Sequence, residues 1–231
     1  GPVGVIYHSG CFQGTVDPGQ RPFLYPTKHY LPAKPPGDPA SVEAAARALL
    51  SAERPVIIAG NGVRIAQAYG ELAALAALIG APVATSASGK GVYAETGDWA
   101  LGVCGSFGQA TANAVIGQSD LVLAVGTRLG PADTANENPA MIDPTRQTLV
   151  QIDIEPKNAS WSFPCETVVI GDAALVLAGV ADAARSAGAP PADALASRKQ
   201  ALEAARAEHG FFQDPGYASD DAPIMPQRLF A

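Results

Sequence analysis

Apolar and polar positions along the chain fall into two textures that meet at Asp38-Pro39. Ahead of that point, Val3, Val5, Ile6 and Tyr7 make a short β-prone run within Gly1 to Tyr7. Pro18, Pro22, Pro26, Pro32, Pro35, Pro36 and Pro39 then recur without a period. Proline lacks the amide donor and holds φ fixed, so this stretch suits an extended connector better than a helix or a central strand. Beyond it, Asp38 can cap a helix that starts on Pro39 and gathers Val42, Ala45, Ala46, Leu49 and Leu50 on one face.

From there short apolar runs alternate with helix-period segments. Pro55-Val56-Ile57-Ile58-Ala59 is continuously apolar, the mark of a strand buried on both faces. Gly60-Asn61-Gly62 breaks it, and helix-period residues run through Leu72, Leu75, Ala76 and Ile79 to Gly80 at a C-cap position. Pro82 to Thr85 predicts a second strand, Ala110 to Ile116 a helix, and Leu121 to Val125 a third strand. Thr148 to Ile152 and Thr167 to Ile170 predict a fourth and a fifth. A helix from Asp172 to about Ala184 follows, with Leu175, Val176, Val180 and Ala184 expected to face inward. Such alternation requires right-handed crossovers. The fold class predicted is therefore α/β: an open Rossmann-like parallel sheet with helices on both faces, over residues 38–186. A linker at 187–191, a charged helix from Asp193 to His209 and an element beginning at Met225 fill residues 187–231.

Composition narrows this picture. At roughly 150 residues per domain, 231 residues hold one large domain or one and a half. Hydrophobic residues at 48% and charged ones at 16% supply a sizeable core, while 6% aromatics leave that core to Ala, Val, Leu and Ile. A net charge of −7 argues against a nucleic-acid binder, which needs a basic face. No apolar run has the length of a membrane span. Cys11, Cys104 and Cys165 are odd in number and lack a CxxC pair, so a reducing, cytoplasmic setting is the default. The chain opens on Gly1-Pro2-Val3 rather than Met, and we expect it to be an excerpt of a longer protein.

Candidate chemistry gathers in loops after strand C-termini, where open parallel sheets bind ligands. Gly60-Asn61-Gly62 reads either as a tight strand-to-helix turn or as a close approach to phosphate or ribose; the third glycine of GxGxxG would fall at Ile65. Ser88-Gly89-Lys90-Gly91 lacks the Ser or Thr of a phosphate loop, yet Lys90 could meet a phosphate or carboxylate. Gly126-Thr127-Arg128 places an arginine that either clamps an anion or pairs with a surface acid. Asp153 could accept from a ribose hydroxyl or adenine amine, and Asp172 could do so or cap a helix. His8, His29 and His209 lie outside the α/β unit, and no GxSxG, HExxH or metal-ligand spacing occurs.

Taken together the loops are more specific. Arg54-Pro55 through Gly62-Val63, then Ala81 to Thr85 with Gly89-Lys90-Gly91, Leu101-Gly102 and Gly105 come in order. Ser119-Asp120 through Gly126-Thr127, Gln151-Ile152-Asp153-Ile154-Glu155-Pro156 and Gly171-Asp172-Ala173 complete the series. From about residue 40 to 186 this resembles the central domain of thiamine-diphosphate-dependent enzymes, with the acetolactate synthase branch the most similar. Residues 1–37 resemble the end of the pyrimidine-binding domain plus a connector, and the last residues the start of the diphosphate-binding domain.

The resemblance implies a thiamine-diphosphate and magnesium enzyme, a homodimer or homotetramer, that decarboxylates a 2-oxo acid and passes the carbanion to an acceptor. It places the activating glutamate and the metal-binding GDG…N motif outside this chain, to which no catalytic or metal-binding residue is then assigned. In some branches the central domain binds FAD or an ADP-containing group, which makes Gly60, Asn61, Gly62, Gly89, Lys90, Gly126, Thr127, Arg128, Asp153, Ile154 and Asp172 the cofactor-binding candidates. Flavin-binding relatives carry a second arginine where this chain has Ala132, so an altered site is expected as much as FAD. A stand-alone nucleotide-binding module and a decarboxylase or lyase of the same superfamily are the alternatives.

Overall fold

Every position of β1 (Pro55–Ala59) is buried, as its unbroken apolar run predicts, because helices cover both of its faces. The computed structural model describes residues 4–15, 19 and 33–229, and it divides the chain into two units, 1–33 and 34–231. In the second unit, β1 is joined by β2 (Val83–Thr85), β3 (Ala100–Val103), β4 (Leu121–Val125), β5 (Thr148–Asp153) and β6 (Thr167–Ile170). All pairs are parallel and the order is β3-β2-β1-β4-β5-β6. The winding reverses between β1 and β4, and there the connections on either side diverge to leave a crevice at the strand C-termini.

Side-chain alternation sorts the core into two layers. Ile57 and Ala59 of β1, with Leu121, Leu123 and Val125 of β4, pack with α1 (Pro39–Ser51), α3 (Tyr69–Ile79) and α5 (Ala173–Ala187). Val56, Ile58, Val122 and Ala124 face the other way, toward α4 (Ala110–Gln118) and Leu202 of α6 (Ala192–His209). The caps behave as their residue types dictate. The Asp38 carboxylate accepts from Ser41 N at 2.9 Å, and Gly80 turns left-handed at φ 70° with its amide on Ala76 O.

The structure departs from the sequence expectations in four places. A sixth strand, β3, had no signal of its own: it is four residues long, contains Gly102 at φ +76°, and meets β2 through a register shift. Residues 4–7 form no strand, and Val5, Ile6 and Tyr7 are exposed; Val3 lies outside the described residues, as do Pro18, Pro22, Pro26, Pro32 and His29. Leu175 points outward, because the buried stripe of α5 runs through Ala173, Val176, Leu177, Val180, Ala181 and Ala184. The helical stretch after Gly60 is two helices, α2 (Asn61–Ala66) and α3, separated by Gln67 at φ 57°.

The charged stretch near the C-terminus packs back on the sheet as α6. Leu202 is its only fully buried residue, half-buried Leu195 lies beside Gly80, and three cations add to the attachment. Arg198 donates to Glu53 O (3.2 Å), Ala52 O (2.5 Å) and Ile79 O, the last two being carbonyls that end α1 and α3. Lys199 reaches Asp98 O, and Arg206 reaches Gly97 O and Ala100 O. Helix C-termini carry unpaired carbonyls and partial negative charge, so a guanidinium between two of them meets both needs. A four-residue helix, α7 (Pro226–Leu229), is the last described element.

Candidate functional site

Five loops at the C-terminal edge of the sheet line a cleft of about 740 Å³, within the usual range for a small-molecule site. Its walls include Asn61 and Gly62 after β1, Ser88 after β2, Gly126 to Arg128 and Gly130 to Asp133 after β4, Asp153 to Glu155 at and after the end of β5, and Gly171 to Ala173 after β6, with Lys34 beside them. Of the predicted positions, Asn61, Gly62, Gly126, Thr127, Arg128, Asp153, Ile154 and Asp172 line this one space.

Gly60 and Gly89 lie beneath it. A Cβ on Gly60 would stand 2.4 Å from Gly126 O, one on Gly62 2.5 Å from Gly126 Cα, and one on Gly89 2.7 Å from Ala59 O. Three loops therefore cross backbone to backbone, fastened by Gly60 N to Val125 O (2.8 Å) and Gly62 N to Gly126 O (3.0 Å). These glycines answer a packing demand first, and only Gly62 and Gly126 also face the cleft. Lys90 stands apart from the cleft, in an ion pair with Glu95 at 2.5 Å.

The carboxylates each have hydrogen-bond partners within the protein. Asp172 caps α5 by accepting from Ala174 N and Leu175 N, and pairs with Lys34 at 3.1 Å, so the structural alternative for it is realised. Asp153 accepts from Glu155 N (2.9 Å) and from the Asn158 amide (3.2 Å to each oxygen), which orients it at the wall. Asp133 accepts from Thr127 Oγ1 at 3.1 Å; its burial pushes the carboxyl above the ordinary range, against the hydrogen bonds from Thr127 and Ala87 and the Arg128 charge. Arg128 takes part in no ion pair among the described residues, and its guanidinium lies 5.6 Å from the centroid of the Trp161 ring.

Sequence reasoning missed Lys34, Ile65 and Asp133 as wall residues. Lys34 sits at the end of the proline-rich stretch, where nothing local marks it, whereas Asp133 follows β4 closely enough to have been suspected. Among the described residues there is no group of three or more His, Cys, Asp or Glu that could hold a metal ion. None of the described helices is long and apolar enough to cross a membrane.

A six-stranded parallel sheet with a walled crevice at its switch point defines a Rossmann-like α/β domain. Residues 42–180 match the model of the thiamine pyrophosphate enzyme central domain, and the chain belongs to that family. It is 30% identical to a "Probable acetolactate synthase large subunit" of Methanocaldococcus jannaschii, over 99% of this chain and 37% of the relative. An acetolactate synthase large subunit of Haemophilus influenzae is 31% identical over 71% of the chain and 29% of the relative. A sulfoacetaldehyde acetyltransferase of Castellaniella defragrans is 36% identical over 60% and 23%. The chain thus spans between 23% and 37% of the length of these relatives.

Proposed function

We propose that this chain is the central, non-catalytic portion of a thiamine-diphosphate-dependent enzyme acting on 2-oxo acids, an acetolactate-synthase-like carboligase, and that its cleft receives an ADP-type nucleotide. The observation that carries the reading is the convergence of Arg128, Asp153 and the Gly62–Gly126 crossing at the switch point, in a chain of this family. Arg128 supplies a cation for a phosphate, Asp153 an oriented acceptor for a ribose hydroxyl or adenine amine, and Ile65 and Ile154 an apolar rim. Ala132 offers no second donor, which favours a compact ADP-type ligand over FAD. The activating glutamate, the magnesium site and the bound thiamine diphosphate belong, on this reading, to other parts of a homodimeric or homotetrameric cytoplasmic enzyme. Similarity to the sulfoacetaldehyde acetyltransferase supports a second reading, in which the parent enzyme transfers its acyl carbanion to a different acceptor.

Two measurements test this. The chain by itself, given thiamine diphosphate, magnesium and pyruvate, is expected to form no acetolactate, and turnover would overturn the non-catalytic assignment. Calorimetry with ADP, FAD and coenzyme A is expected to show one ADP-type ligand per chain, and silence from all three would leave a purely structural domain.

A further inference from the structure

Trp161 is a large aromatic residue with 62% of its surface exposed, and it belongs to neither core cluster. We propose that Trp161 is a positioning residue, whose ring is the platform that holds the Arg128 guanidinium at the cleft wall for the phosphate groups of an anionic ligand. This rests on the nucleotide reading of the cleft given above.

The arrangement is well suited to that task. Arg128 Cζ lies 5.6 Å from the ring centroid, within the ~6 Å reach of a cation–π contact. A cation–π contact needs no acceptor atom and leaves guanidinium N–H donors available for bidentate contacts. An ion pair would have occupied those donors, and Arg128 has none among the described residues, although Asp133 lines the same cleft. The Asp133 carboxylate is instead held by Thr127 Oγ1.

The loop that carries Trp161 is fixed from below by one buried amide. Gln151, 1% exposed on β5, donates from Nε2 to Thr127 O (3.2 Å) and Asn158 O (3.0 Å), and its Oε1 accepts from Ser160 N (2.8 Å). That single side chain ties the residue before Arg128 to the residue before Trp161. Ser162 Oγ adds a second tie by donating to Arg128 O at 3.1 Å. Ser160 is held at φ 51°, a left-handed conformation that costs a non-glycine residue, so the surrounding bonds over-determine the loop. A loop fixed this firmly and ending in an exposed indole under an arginine is built to place the arginine, since the indole contributes nothing to the core.

The test is calorimetric titration of the full chain with ADP and, separately, with inorganic pyrophosphate. Trp161→Ala is expected to weaken both by about two- to five-fold, the worth of an exposed cation–π contact. Trp161→Phe should stay within about two-fold of wild type, and Arg128→Ala should weaken binding about ten-fold or more. Thermal melts of the Trp161 variants should match wild type. Acrylamide quenching of the ligand-free chain should increase in Arg128→Ala as the indole is uncovered. Wild-type affinity in Trp161→Ala beside a weakened Arg128→Ala would overturn the platform and leave the nucleotide reading standing. Equal losses in Trp161→Ala and Trp161→Phe would also overturn it, since an aromatic face would then not be what matters. No binding of either probe by the wild-type chain would overturn the nucleotide reading and the platform with it.

Discussion

Replacing Arg198 by methionine would remove the guanidinium from α6 while keeping most of the apolar stem, and so isolates what the three carbonyl contacts contribute. Two of them, to Ala52 O and Ile79 O, are partly buried, and the third, to Glu53 O, is exposed. A hydrogen bond from a charged donor contributes about 1.5–3 kcal/mol when shielded. Arg198 is half-buried, so solvent lowers each share and the exposed contact adds little. The carbonyls ending α1 and α3 also lose a partner for the negative ends of their helices, worth a few tenths of a kcal/mol more. The expected loss is about 2–4 kcal/mol, which for a chain of this size lowers Tm by roughly 5–15 °C. Lysine brings one point charge that reaches one carbonyl at a time, so Arg198→Lys should recover only about 1 kcal/mol. Urea unfolding followed by circular dichroism measures these differences, and amide exchange locates them, with α6 expected to lose protection before the sheet. A methionine variant within about 0.5 kcal/mol of wild type would refute the view that cations, as well as Leu202, fasten this helix.

Three further perturbations probe the loop crossing, the cleft and the core. In Gly62→Ala the new Cβ would lie 2.5 Å from Gly126 Cα, and in Gly126→Ala 2.6 Å from Gly62 Cα at φ +60°. Each should cost about 1–3 kcal/mol in urea unfolding, with a double variant off additivity by at least about 0.5 kcal/mol because the two share one contact. Burial raises the Asp133 carboxyl above its ordinary 3.8, so the folded chain holds that proton more tightly than the unfolded one. Stability from this group is thus lost as pH rises through the window between 3.8 and the raised value, and Asp133→Asn should be relatively more stable at neutral pH but not below that window. A pH series of melts that runs parallel for both proteins would exclude this. Burial, and secondarily the Asp133 charge, pushes the Cys104 thiol up to about 12, so Ellman's reagent at pH 8 should leave Cys104 unmodified until urea unfolds the chain. Rapid labelling of Cys104 in the folded chain, read by peptide mapping, would contradict the burial.

What could be read without coordinates divides along physical lines. Strands buried on both faces announce themselves as apolar runs, so β1, β4 and β5 were legible, as were Asp38 and Gly80, whose residue types suit the caps they form. β3 was not, because an edge strand of four residues with a glycine inside it carries no period to detect. Leu175 shows the limit of a 3.6-residue period: one position of phase decides whether a leucine enters the core, and Leu177 is the one that does. For the site, the loops were identifiable because parallel sheets open at their strand ends, yet the purpose of single residues was not. Gly60 and Gly89 look like phosphate-loop glycines, but what requires them is the backbone of another loop under 3 Å from where a Cβ would stand. That contact joins residues far apart in the chain, and no local pattern encodes it. The same holds for Arg128. Its neighbours in sequence offered an anion clamp or a surface ion pair, and the partner it has is an indole 33 positions away, brought there by Gln151. Elements follow from local periodicity, whereas the roles of loop residues are set by which loops cross, and crossing is decided by strand order.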